Sequence, residues 1–276
     1  MKFKNSVHSL LGIVALASVA VGAQLPSVLV MSRTAPRAHA PAIIHERHGK
    51  NATSSNWSGY AVTGAPGSIT DVKGSWIVPA ANCASSPSTS YASFWVGIDG
   101  FSSNTVEQTG TDSDCSSGTP TYYAWYEFYP HFAYYVPNMT AIHAGDVISA
   151  EVSFSGGHFT VSITDVTAGT SFSKSVKMSN AQRSSAEWII EAPYSGGILP
   201  LADFGTVSFG SDSTHVSLTC DATVGGASAP MGSAAFAANL VEITMVASNG
   251  TTVKSQPSPL SADGTSFTDA WKNAGP

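Results

Sequence analysis

From Asn56 onward, short runs that alternate apolar and polar residues follow one another along this chain. No apolar stripe with helical spacing persists for three turns. A period of two puts alternate side chains on opposite faces of an extended strand, so each run can bury one face. Runs of this kind occupy 57–62, 69–78, 91–99, 105–109, 121–128, 147–154, 159–166, 171–176, 186–191, 206–209, 240–246 and 251–254. Gly64-Ala65-Pro66-Gly67, Ser155-Gly156-Gly157 and Ser248-Asn249-Gly250 supply turns between them. Many short strands at short spacing predict an all-β fold, an antiparallel sandwich of two sheets, with no repeat and no second domain.

The first fifty residues read differently. Lys2 and Lys4 precede an apolar run from Leu10 to Val21, and Val21-Gly22-Ala23 offers a cleavage site before Gln24. This predicts a signal peptide over 1–23 and a secreted product. No later segment is long and apolar enough to span a bilayer, so the expected product has no membrane partner. Residues 24–52 mix Pro, Ala, Arg and His without periodicity, which suits a propeptide or a disordered leader ahead of a catalytic sandwich over 53–276. Six of the twelve Lys and Arg lie before residue 51; beyond it, six basic residues face seventeen acidic ones, a formal charge of −11 with histidine neutral. Such a surface disfavours nucleic acid. A basic leader lying over an acidic cleft would inhibit it until acid protonates the carboxylates.

The common hydrolase signatures are missing. There is no Gly-x-Ser-x-Gly, no Asp-Thr-Gly or Asp-Ser-Gly, and no His-Glu-x-x-His. His131, His143, His158 and His215 have no metal-like spacing, and Cys83, Cys115 and Cys220 make no zinc site, so no cofactor or metal is expected. A Cys83–Cys115 bridge is the pairing we expect, leaving one thiol. Two strand-like segments carry chemistry instead: Val106-Glu107-Gln108-Thr109-Gly110 and Glu187-Trp188-Ile189-Ile190-Glu191. A carboxylate facing a carboxamide across one cleft could hydrolyse a peptide, one activating water and the other holding the oxyanion. Glu187 and Glu191 share a strand face about 13 Å apart at ~3.3 Å per residue, so spacing alone leaves open which is the base.

Four motifs in order sharpen this: Trp95-Val96-Gly97-Ile98-Asp99-Gly100, Gln108-Thr109-Gly110, Ala124-Trp125-Tyr126-Glu127-Phe128-Tyr129-Pro130, and Ala186-Glu187-Trp188-Ile189-Ile190-Glu191. Together they resemble the glutamic peptidases, or eqolisins, from about Asn56 to about Phe209. The resemblance implies a two-sheet sandwich of the concanavalin A-like lectin and glucanase kind, and acid endopeptidase activity on polypeptides; with no paired aspartates proposed, a pepstatin-type inhibitor should have little effect, and a monomer is expected. It implies Glu191 as general base, Gln108 as oxyanion donor and Glu187 as nearby polar support. Trp57, Trp95, Asp99, Glu127 and Tyr129 would wall the cleft, with Glu127 and Asp99 hydrogen-bonded to the catalytic groups. The chain departs from the fungal pattern at Tyr123 and at Ala192-Pro193-Tyr194, which puts substrate preference in question. Two rivals stay open: a glycoside hydrolase using two of Glu127, Glu187 and Glu191, or a carbohydrate- or peptide-binding module.

Overall fold

The computed structural model describes Met1, residues 37–139 and residues 141–275. Apart from Met1, the expected signal segment and the leader up to residue 36 lie outside the described residues. Strands β1 (Ile44–His48), β2 (Asn51–Ser54), β3 (Trp57–Thr63), β4 (Ile69–Ile77), β5 (Ser93–Ile98) and β6 (Val106–Ser116) come first. β7 (Thr119–Tyr129), β8 (Tyr134–Tyr135), β9 (Val147–Ser155), β10 (His158–Asp165), β11 (Thr170–Val176) and β12 (Ser185–Glu191) follow. After β13 (Thr206–Gly210) comes one helical turn, α1 (Ser211–Thr214). β14 (Asp221–Val224), β15 (Ala227–Pro230), β16 (Leu240–Val246), β17 (Val253–Pro257) and β18 (Ser266–Trp271) close the fold.

The strands form two layers, as the alternation predicts. One sheet runs β1-β2-β16-β3-β12-β5-β6-β7-β8. The other runs β11-β10-β9-β4 and then forks, because β4 pairs with β14 along one half and β13 along the other. β15 pairs with β14, and β18 and β17 follow β13. Among the strands described, β16 and β2 pair in parallel and the rest antiparallel, and a short β16–β17 pairing joins the layers.

Period two sorts the side chains. Phe94, Val96, Trp188 and Ile190 of the first sheet meet Trp76, Val152, Phe159 and Val161 of the second in the main core. Indole N–H groups buried there are satisfied: Trp76 donates to Thr111 Oγ1 at 2.8 Å and Trp188 to the Lys73 carbonyl at 2.7 Å. The opposite parity, Trp57, Ala61, Trp95, Trp125 and Ile189, forms a second apolar layer on the outer face of the first sheet.

Two features were invisible to the alternation. β6 runs on through Asp112, Ser113 and Asp114, where no apolar residue marks the pattern; its continuous pairing with β7 carries it. Residues 44–54 show no period either, yet β1 and β2 pair with each other and β2 with β16. Cys83 and Cys115 form the expected disulfide, and the Cys220 thiol is buried.

Candidate active site

The outer tryptophan layer floors the site. Gln108 on β6 lies opposite Gly97 on β5 and Glu127 on β7. Gly97 is needed here: a Cβ would come within 2.9 Å of the Trp95 ring and 3.2 Å of the Gln108 Cβ, crowding the carboxamide out of its place. Glu191 ends β12, two positions beyond Ile189, which pairs with Trp95. Trp57 and Trp95 meet edge to face, centroids 4.8 Å apart, and the Trp95 Nε1–H donates to Glu191 Oε2 at 2.9 Å. Gln108 Nε2 donates to Glu127 Oε2 at 3.1 Å.

The chain's own residues 37–43 lie across this floor. Gln108 Nε2 donates to the His39 carbonyl oxygen at 2.6 Å, and the Ala40 N–H donates to Glu191 Oε1 at 2.9 Å. The carboxamide and the carboxylate therefore flank one peptide bond, one on its oxygen and the other on its nitrogen. The segment is held along its length: Ala38 exchanges two backbone hydrogen bonds with Tyr194, the Ala40 carbonyl accepts from Trp57 Nε1 at 2.9 Å, and the Ile43 N–H donates to Asn56 Oδ1 at 2.8 Å. Asn56, though it stands in a glycosylation sequon, is fully buried by this role.

The electrostatics follow from burial. Desolvation pushes Glu191 well above the ordinary carboxylate range, and the neighbouring His39 charge and the Trp95 and Ala40 donors pull it part of the way back. Glu127 is raised by burial for the same reason, against the opposing pull of His39. Burial would lower His39, but the facing carboxyl groups of Asp112 and Glu127 outweigh it and lift the imidazole to about 10. His39 therefore sits between two carboxyl groups, one facing each ring nitrogen.

Most residues singled out by sequence gather here, with two exceptions. Gln108, Glu191, Trp57, Trp95 and Glu127 touch one another or the bound segment, and Tyr129 packs against the tryptophan layer. Asp99 does not reach the catalytic groups. It sits just past β5 with φ 75°, and its carboxylate accepts the N–H groups of Gln182, Arg183 and Ser184 at 2.7–2.9 Å, anchoring the approach to β12. Glu187 shares the face of Glu191 but is buried away from it, near Asp99 and Glu107; burial raises Glu187 well above its ordinary range and Glu107 to about 9. Sequence reasoning missed Asp112 and Asp114, although period two from Gln108 places both on its face of β6. It also missed His39 and Arg37, which no motif marks.

The comparisons give the family. Residues 55–256 match the model of the peptidase A4 family. The chain is 37% identical to aspergillopepsin-2 of Aspergillus niger over 182 residues, 56% of this chain and 62% of that protein's length. It is 33% identical to scytalidopepsin B of Scytalidium lignicola over 217 residues, 74% of this chain and 78% of that protein. Among solved structures, scytalido-glutamic peptidase with a transition-state analogue inhibitor aligns with TM-score 0.64 and 26% identity, covering 79% of this chain and 98% of that one. The aspergilloglutamic peptidase of Aspergillus niger aligns with TM-score 0.55 and 29% identity, covering 66% and 99%. On these matches, with the four motifs in place on one sandwich, the chain belongs to the peptidase A4 family, the eqolisin glutamic peptidases.

Proposed function

We propose that this chain is a secreted, monomeric endopeptidase that cleaves polypeptides in acid through Glu191 and Gln108, and that the residues ahead of the sandwich are a leader occupying its cleft. One observation carries the reading: the two side chains grip the carbonyl oxygen and the amide nitrogen of the same peptide bond. Glu191 as carboxylate takes a proton from the attacking water. Gln108, neutral and a donor at every pH, bonds the oxygen as it gains negative charge. The protonated Glu191 then passes its proton to the departing nitrogen, the atom its Oε1 already faces, so no covalent intermediate forms. Trp95 holds the carboxylate in line and Glu127 holds the carboxamide.

Peptide ligands of solved relatives support the substrate class: one is a complex with a peptide-based transition-state analogue, and another, of the relative SCP-B, holds the tripeptide Ala-Ile-His. Among the described residues no helix is long and apolar enough to cross a membrane. The test is hydrolysis of denatured casein and of β-glucans in acid by wild type, Gln108→Ala and Glu191→Ala. Gln108→Ala should lower kcat on casein by about 10²–10³-fold, the cost of one oxyanion donor, and Glu191→Ala should abolish turnover. Glycan cleavage that survives Gln108→Ala would transfer the site to a glycosidase, and inactivity on both substrates would leave a binding module.

A further inference from the structure

The bound segment is more than an obstruction, because its side chains fill specific sites. The His39 imidazole lies flat on Trp125, centroids 3.5 Å apart and planes 5° from parallel. Its Nδ1 is 3.1 Å from Glu127 Oε2 and its Nε2 3.6 Å from Asp112 Oδ1. Two residues earlier, Arg37 reaches Asp114 Oδ2 at 2.5 Å and Asp112 Oδ2 at 3.5 Å, with its guanidinium 4.4 Å from the Tyr91 ring centroid and 5.4 Å from that of Tyr123. Tyr123 in turn donates to both aspartates, at 2.8 and 3.0 Å. Ala38 between them adds only its backbone pairing with Tyr194. The two family departures, Tyr123 and Tyr194, thus stand in the walls of these sites.

A flat aromatic floor with carboxylates at both ring nitrogens is made for a planar cation with two N–H donors. Asp112 and Asp114 beneath two tyrosine rings suit a guanidinium in the same way. An aliphatic residue in the first site would leave Asp112 and Glu127 buried against hydrocarbon, a costly arrangement. We propose that this peptidase selects peptides with histidine just before the cleaved bond and arginine two residues earlier, and that its first substrate is its own chain, cut between His39 and Ala40. The proposal rests on the Glu191–Gln108 reading above. In the cut, water adds its hydroxyl to the His39 carbonyl carbon, the C–N bond breaks, and the Ala40 nitrogen leaves as an amine carrying the proton relayed by Glu191. The fragment ending in the His39 carboxylate departs. Residues 40–43 stay tethered to β1 and are displaced by incoming substrate.

The test uses the full secreted chain. Acid incubation followed by N-terminal sequencing should yield a new terminus at Ala40, and Glu191→Gln should keep its longer N-terminus. Peptides of the form Arg-Ala-X-Ala-Pro are then compared by kcat/KM, with casein hydrolysis measured in parallel. Wild type should favour X = His over X = Leu by at least about tenfold, and Asp112→Asn should shrink that ratio severalfold. Replacing the peptide's Arg by Ala should cost wild type several-fold and Asp114→Asn little. Casein hydrolysis with no preference for His, or with self-cleavage at another bond, overturns this inference while leaving the Glu191–Gln108 reading intact. A wild-type protein inactive on casein and uncut in acid overturns both.

Discussion

Trp95→Phe isolates the carboxylate's immediate support. The indole N–H is 2.9 Å from Glu191 Oε2, and phenylalanine retains an aromatic ring against Trp57 while removing that donor. A hydrogen bond to a charged group contributes about 1.5–3 kcal/mol. It favours the ionised form, so its loss makes Glu191 harder to ionise. At 1.36 kcal/mol per pH unit, the acid limb of kcat/KM should move up by about one to two pH units, because the base becomes available only at higher pH. The assay is kcat/KM against pH on the acid-processed enzyme with a quenched fluorescent peptide. Trp57→Phe is the contrast: its N–H meets a ligand carbonyl rather than the carboxylate. It should raise KM roughly two- to tenfold, from about 0.5–1.5 kcal/mol for a neutral bond, with the limb in place. A limb that stays put in Trp95→Phe, or moves to lower pH, would refute Glu191 as a base held by Trp95.

Three further outcomes follow from the same structure. In the uncleavable Glu191→Gln protein, leader docking should weaken as pH rises, because His39 is lifted from 6.5 to about 10 when docked: its contribution is complete below about pH 6.5 and lost through pH 10. Trypsin cleavage after Arg37, normalised to a reference substrate, should accelerate across that range, and a flat rate would contradict it. Breaking the Cys83–Cys115 bridge, which spans 32 residues, should lower stability by about 3–4 kcal/mol in the chain-entropy picture, read from urea unfolding with and without reductant; an unchanged midpoint would refute it. Burial holds Lys254 down from 10.5 to about 8, so the unfolded chain binds its proton more tightly and stability rises with pH between those values. Lys254→Met should therefore stabilise most below pH 8, by up to about 3 kcal/mol, with the gain vanishing toward pH 10.5 in thermal unfolding.

How far the sequence disclosed this molecule depends on whether a residue's role follows from chain periodicity. β4 and β9 were legible because each buries mainly one face, which writes an alternating pattern, and β3, β5 and β12 because they are short, largely apolar runs buried on both faces. Gln108 on β6 and Glu191 on β12 were singled out through the linked motifs. Asp99 misled because strand parity was extended one residue past the end of β5, where a positive φ turns the side chain toward the amides of 182–184. Asp112 and Asp114 were within reach of parity from Gln108, but two aspartates in a strand read as solvent-facing until a cation is set against them. The leader was illegible for a deeper reason. A peptide held by its backbone and by isolated side-chain sites needs no period, so residues 37–43 look like any linker.

The leader also bears on the expectation about acid. A basic segment over acidic residues suggests that protonating the carboxylates would let it go. In the docked arrangement, however, the leader's own His39 is lifted from 6.5 to about 10, so docking takes up a proton there and the imidazole keeps its charge throughout the acid range. Titration of the imidazole therefore does not release the leader in acid. On the proposed chemistry the cleft opens by a covalent route: hydrolysis of the bond between His39 and Ala40 separates the cationic half, which carries Arg37 and His39, from the half anchored by Asn56 and β1. The leader's ion pairs to the cleft and its ring stack on Trp125 lie on the departing side. One cut therefore frees the half of the leader that carries these contacts.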